Sequence, residues 1–141
     1  MGAHPLRSGC PIAASLDILG DRWTLLVLRD LLLGDSRRFG EFAREESIAT
    51  NVLSDRLARL VELGLIERSP DPEDGRRVIY RPLAPAIELL PIIVELAGWG
   101  LRHTAVDGPP PEMAGFVDRT DRRRATERRT RQLLRELEAS S

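Results

Sequence analysis

The sequence predicts a mainly α fold with one small β-hairpin, of the α+β class. Three observations predict it. Most of the chain falls into stretches whose apolar residues recur at three- and four-residue spacing and that begin or end at Asp, Pro or Gly. Two short strand-like runs, LIERS (65–69) and RRVIYRPL (76–83), flank the turn-rich PDPEDG. The order is four helices, strand, turn, strand, long helix and a charged end.

Residues 1–9 read as a loose tail. In CPIAASLDILG (10–20), Pro11 stands where a first helical residue belongs and Gly20 ends the segment. Asp21 then caps a second helix, closed by Gly34, with leucine and valine nearly all round it, so it is the expected central helix. DSRRFGEFARE (35–45) predicts a short third helix with Phe39, Phe42 and Ala43 as its apolar stripe. A fourth runs from about Ala49 to Leu63, with Gly64 as its C-terminal stop. After the hairpin comes a long helix, about Pro85 to His103, in which Pro91 is a candidate kink. Leu89, Leu90, Ile93, Leu96, Ala97 and Gly100 share one of its sides. DGPPPEMAG (107–115) reads as linker. In the end segment, Leu133, Leu134 and Leu137 predict a helix that docks on something. The expected organisation is a tail at 1–9, a domain at 10–104, a Pro/Gly-rich linker at 105–117 and an Arg-rich C-terminal helix or tail at 118–141. Two helices within 35–63 followed at once by a hairpin make the winged helix-turn-helix plan.

The chain has 141 residues, a size for one domain, and 42% hydrophobic residues, enough for a core. Its formal net charge is −1 and its pI about 6.1. Nucleic-acid binders are usually more basic, and 34–82 holds nine Arg against ten acids. DNA binding therefore requires arginines on one face and carboxylates on another. Every basic residue is arginine, whose fork suits phosphates and guanine edges. Glu88 and Glu95 interrupt the longest apolar stretch, so no membrane span is expected. The N-terminus is too polar for a signal peptide, and Leu6 stands where a myristoylation motif wants Ser or Thr. A single cysteine allows no disulfide within the chain, and a cytoplasmic protein is expected.

The fourth helix carries the functional expectation. With Leu53 at zero on a wheel of about 100° per residue, Leu57, Leu60 and Val61 lie within about 80° of it. Asn51, Asp55, Ala58, Arg59 and Glu62 face away, with Ser54 at the edge. Any amphipathic helix exposes such residues, but Thr50, Asn51 and Ser54 are also placed to meet base edges, and Arg56 and Arg59 to meet base or phosphate. Arg37 and Arg38 open the preceding helix, where they can hold a phosphate, and Arg76 and Arg77 stand at the wing tip. Asp55 fits that face poorly unless Arg59, at i+4, pairs with it.

Cys10 precedes Pro11, near an N-cap, where a thiol faces the positive end of the helix dipole and can act as an oxidant or electrophile sensor, with Arg7 close by in sequence. The alternative is a small buried apolar residue. The two histidines and one cysteine give no metal-ligand spacing, and no GxGxxG, P-loop or GxSxG is present. No enzyme, metal or cofactor is expected. Trp23 and Trp99 read as core or dimer anchors.

CPIAASLDILGDRWTLLVLRDLLLGDSRRFGEFAR, IATNVLSDRLARLVELGLIER and VIYRPL together resemble the HxlR-type winged helix-turn-helix transcription regulators over about Cys10 to His103. The resemblance implies a homodimer formed through N- and C-terminal helices, on double-stranded operator DNA with two-fold symmetry. Residues 49–63 would be the recognition helix and 65–82 the wing. It implies interface roles for Leu16, Leu89, Ile93, Leu96 and Trp99, and a sensing role for Cys10, which matches the cysteine through which some members sense quinones, aldehydes or oxidants. A small-molecule effector is open but has no residue pointing to it. The wing, DPEDGRR, looks more like that of MarR-type regulators, in which an Asp-Gly-Arg turn braces a minor-groove arginine; this makes Asp74 and Arg76 an expected pair. Ala84 and Ile87 depart from the usual Thr and Gly, and the chain beyond 107 has no family counterpart. A winged-helix module that binds protein instead of DNA is the alternative, supported by the acidic pI.

Overall fold

The computed structural model describes residues 7–117 and 120–141. The expected tail lies outside the described residues except for 7–9. In chain order the elements are α1 (Pro11–Leu19), α2 (Thr24–Leu32), a single 3₁₀ turn (Phe39–Glu41), α3 (Thr50–Glu62), β1 (Ile66–Pro70), β2 (Val78–Pro82), α4 (Ala84–Ile87), α5 (Leu90–His103), α6 (Ala114–Val117) and α7 (Arg122–Ala139). This is the expected mostly helical chain with one antiparallel hairpin, paired Ile66 to Pro82 and Pro70 to Val78.

The core gathers around α2, as its leucine-rich circumference predicts. Val27, Leu28, Leu31 and Leu32 are fully buried, and Phe42, Leu57, Leu60, Ile66, Ile87 and Leu90 close over them. Asp21 caps the start of α2: its Oδ1 accepts the amides of Trp23 (2.9 Å) and Thr24 (3.0 Å).

Three expectations need correction. The third helix is one 3₁₀ turn. Phe42 and Ala43 are buried as predicted, but Ala43 takes a left-handed φ of 47° and gives its amide to Asp30 Oδ2 at 2.7 Å. A carboxylate on α2 thus takes a donor that a continuing helix needs for its own ladder.

The helix expected from Pro85 to His103 is two helices, α4 and α5, instead of one kinked helix. Pro91 has no amide to give Ile87 and its ring would clash with that carbonyl, so α4 stops there and Pro91 sits in the first turn of α5, where a missing donor is harmless. Taken whole, Ala84–His103 is long and apolar enough to cross a membrane, contrary to expectation. In the fold it is broken in two, with Leu90, Ile93 and Val94 in the core and Ile92, Leu96 and Trp99 exposed.

Third, the expected linker contains the short helix α6, whereas the C-terminal segment is a docking helix as its leucines predict, eighteen residues long and packed on α4, α5, α6 and β2. Leu133 is 1% exposed within the main core and Leu137 packs against it, whereas Leu134 points outward.

Candidate nucleic-acid interface

α3 sits on the core through Leu53, Leu57 and Leu60, all at least 97% buried. Its end is fixed by Gly64, which takes φ 76°, donates to Val61 O (3.1 Å) and lets Leu65 N–H reach Leu60 O (2.9 Å). That pair of bonds is a Schellman stop, and it turns the chain straight into β1. On the outer face Thr50, Asn51, Ser54, Asp55 and Ala58 are exposed, and none of these five is an arginine.

The arginines expected to bracket this face are largely engaged inside the protein. Arg59 donates to the backbone carbonyl of Asp17 on α1. Arg56 donates to Asp21 Oδ1 at 3.0 Å and also pairs with Asp55, so Asp55 is neutralised from i+1 and not by Arg59 at i+4. Burial pushes the Asp21 carboxyl up, but bonds from the Thr24 hydroxyl, the Trp23 amide, Arg56 and the Thr24 amide outweigh it and hold the pKa at about 2. Arg37 is turned inward: it donates to Leu31 O (3.1 Å) and Ser36 O (2.8 Å), while its own carbonyl accepts from Tyr80 on the hairpin (2.8 Å). The reason lies at the end of α2, whose last carbonyls have no helical partner and draw in any guanidinium within reach. Desolvation in that spot lowers the Arg37 pKa. Arg38 bridges to the buried Asp71 at the base of the wing, with N–O distances of 2.7 and 2.8 Å. An amide bond from Glu73, then the Arg38 bond, keep Asp71 ionised below its ordinary range.

A further pair was not anticipated. Arg29 on α2 makes a two-pronged contact with Glu46, 2.8 and 2.9 Å, and so ties α2 to the turn that precedes α3. Three clamps, Arg29–Glu46, Arg56–Asp21 and Arg38–Asp71, therefore fix the turn, α3 and the wing relative to one another. Within 34–82 they engage Arg38, Arg56, Glu46 and Asp71.

The wing tip keeps the expected form. Asp71 N–H donates to Arg77 O and Arg77 N–H to Asp74 O, both at 2.9 Å, closing the loop. Asp74 Oδ1 accepts the Arg76 amide at 3.1 Å and its Nε at 3.3 Å, and Arg77 Nε lies 3.6 Å from Asp74 Oδ2. Arg76 remains 93% exposed, braced at its base and free at its end. Arg44, in the turn before α3, is exposed with no carboxylate partner among the described residues. No periodicity in the sequence marks such a turn residue.

The exposed polar start of α3 and the braced wing arginine lie within residues 18–107, which match the HxlR-like helix-turn-helix family model. The chain belongs to the HxlR-like family of transcriptional regulators. It is 42% identical over 103 residues to the HTH-type transcriptional regulator MT3179 of Mycobacterium tuberculosis, covering 72% of this chain and 65% of that relative's length. Among solved structures it is similar to PA1607 (35% identity, TM-score 0.65, 74% of this chain and 72% of that one) and to the oxidised redox regulator HypR (27%, 0.61, 69% and 100%).

Two features of this HxlR-like chain stand apart from the outer face of α3. Cys10 is exposed at the N-cap of α1 and its carbonyl accepts the Ala14 amide, so it is not the buried apolar residue of the alternative reading. Arg7 is paired with Asp17. The expected dimer residues divide. Leu16, Leu96 and Trp99 are exposed by 51–56%, joined by Ile12 and Ile92, whereas Ile93 is in the protomer's own core and Leu89 packs against it. The difference follows from helix phase, since Ile93 and, a turn before it, the N-cap residue Leu89 face the core. Beside that face an apolar groove of about 330 Å³ opens between α2, α5 and the 106–113 segment. Among the described residues no group of His, Cys, Asp and Glu is placed to hold a metal.

Proposed function

We propose that this HxlR-like chain is a sequence-specific DNA-binding regulator acting as a homodimer on a two-fold symmetric operator, most simply as a repressor. Thr50, Asn51 and Ser54 at the start of α3 meet base edges in the major groove, and Arg76 reaches backbone or minor groove from the wing. The observation that carries the reading is the division of labour on α3. Its apolar side is entirely consumed by the core, and its outer side presents small hydrogen-bonding groups with Asp55 neutralised by Arg56. Arg37, Arg38, Arg56 and Arg59 act by holding the reading head in place, and Arg44, Arg76 and Arg77 are left for phosphates.

Ile12, Leu16, Ile92, Leu96 and Trp99 give the apolar face on which a second copy docks. Cys10, an exposed thiol on the helix that carries Leu16, is the sensor of oxidant or electrophile in this reading, and the similarity to the redox regulator HypR supports it.

A gel shift against the gene's own upstream region tests the core of the proposal. Specific binding that falls steeply with salt, loses sequence discrimination in Asn51→Ala and weakens in Arg76→Ala supports it. The acidic balance of the helix-turn-helix segment favours a second reading, a winged-helix module that binds protein, and salt-independent or absent DNA binding would select it. Light scattering of Trp99→Glu against the native chain tests the dimer.

A further inference from the structure

α7 lies beyond the family segment, and its docking explains only one of its sides. Ala125, Thr126, Arg129 and Leu133 are buried, and Arg129 reaches into the end of α2. On the opposite side Arg124, Arg128, Arg131 and Arg135 follow one another at spacings of four, three and four. At about 100° per residue they fall within a sector about 60° wide, turned about 180° from Leu133. All four are exposed, and none has a carboxylate within ion-pair distance among the described residues. This is unlike the helix-turn-helix, where Arg29, Arg38 and Arg56 are paired. The acids of α7 stand off this ridge or at its end: Glu127 is taken by Arg123, Glu136 accepts from Gln132 and lies 3.7 Å from Arg37, and Glu138 is in the last turn. With seven arginines and three glutamates, α7 concentrates positive charge in a chain whose net charge is −1.

We propose that this arginine ridge is a second, sequence-independent contact with the DNA backbone, binding phosphates that flank the site read by α3. The proposal rests on the DNA-binding reading above and extends it. Two observations choose this occupant. The ridge is about 16 Å long, the axial distance over which one DNA strand presents about five phosphates. The helix that carries the ridge also packs beside the helix-turn-helix, since Glu136 lies 3.7 Å from Arg37 and Arg129 holds Leu32 and Gly34 at the end of α2. A membrane surface would need an apolar face beside the charge, and the apolar face of α7 is already spent on the core, with only Leu134 left partly outside.

The test uses the full chain and two duplexes from its upstream region: the footprinted site alone, and the same site with about one helical turn, ~10 bp, added on each side. The readout is the slope of log affinity against log salt, in which each phosphate contact contributes about 0.9. The native chain is expected to show a steeper slope on the longer duplex. Replacing Arg124, Arg128, Arg131 and Arg135 together by Gln should remove that extra steepness, by about 2 or more, and leave the preference for the site over scrambled DNA unchanged. The matching four-Lys variant should restore the slope, which separates lost charge from lost fold. Equal slopes for native and four-Gln proteins on both duplexes, with site preference intact, overturn the ridge proposal and leave the DNA reading standing. If instead the four-Gln change abolishes binding to anionic vesicles and alters nothing on DNA, the ridge is a lipid contact and the proposal falls. A native chain with no site preference and no salt dependence overturns both readings.

Discussion

Arg129 offers the sharpest test of how α7 is held. Its guanidinium is buried, donating from Nε to Leu32 O at 2.7 Å and from Nη2 to Gly34 O at 2.9 Å, with Asp35 a weak third partner at 3.6 Å. Both carbonyls are at the end of α2, where the helix supplies no partner of its own. A hydrogen bond from a charged donor contributes about 1.5–3 kcal/mol net, and two of them exceed what is recovered by no longer burying the guanidinium. Arg129→Ala should therefore destabilise by about 2–4 kcal/mol. For a chain of this length that corresponds to a Tm lower by roughly 6–12 °C. Arg129→Lys keeps the charge but offers an ammonium where a planar fork spans two carbonyls, so about half the loss is expected. Thermal melts at one fixed protein concentration, with urea titration as a check, measure it, since dimerisation makes Tm concentration-dependent. An Arg129→Ala melt within about 2 °C of the native chain would show that α7 docks by Leu133 alone and that the carbonyls find water.

Other outcomes follow from the same structure. Gly64→Ala, forcing an alanine to φ 76°, should lower stability by about 1 kcal/mol in urea titration without changing DNA site preference. The Asp21 carboxyl sits at about 2 in the fold against 3.8 when unfolded, so its stabilisation is full above pH 3.8 and is lost as pH falls through 2; discounted for partial exposure it contributes about 1–2 kcal/mol. Asp21→Asn should accordingly flatten the loss of stability between pH 4 and 2 in denaturant titrations. Arg59→Ala should lower Tm through the lost bond to Asp17 O while leaving the salt slope of DNA binding near the native value, the reverse of Arg76→Ala. Diamide or a quinone should shift DNA affinity in the native chain and not in Cys10→Ser; equal responses on a gel shift would make Cys10 a bystander.

What could be seen in the sequence was local. The leucines of α3, the stop at Gly64 and the Asp74–Arg76 brace each depend on residues within a few positions, and propensity and periodicity report such relations directly. What could not be seen was the choice of partner across distance. Arg59 finds Asp17, forty-two residues away, and Arg129 finds Leu32, ninety-seven away. An unpaired helix carbonyl leaves no mark in the sequence, so Arg37 read as a phosphate ligand. The third helix stops after one turn for a related reason, since Asp30 draws off the Ala43 amide from thirteen residues upstream. Leu89 and Ile93 have the composition of an interface, and only the assembled core decides that they serve the protomer itself.

The bond from Arg59 to Asp17 ties the recognition-type helix α3 to the first helix of the chain. α1 is a rod about 13 Å long. The thiol of Cys10 stands just before one end, and near the other Arg59 of α3 grips the backbone, with Arg56 holding Asp21 one step further on. α1 is thus tied to α3 at the backbone of Asp17, in addition to the packing of Ile18 and Leu19 on the leucine core. The exposed thiol and the bond to α3 therefore meet the same short rod near its two ends.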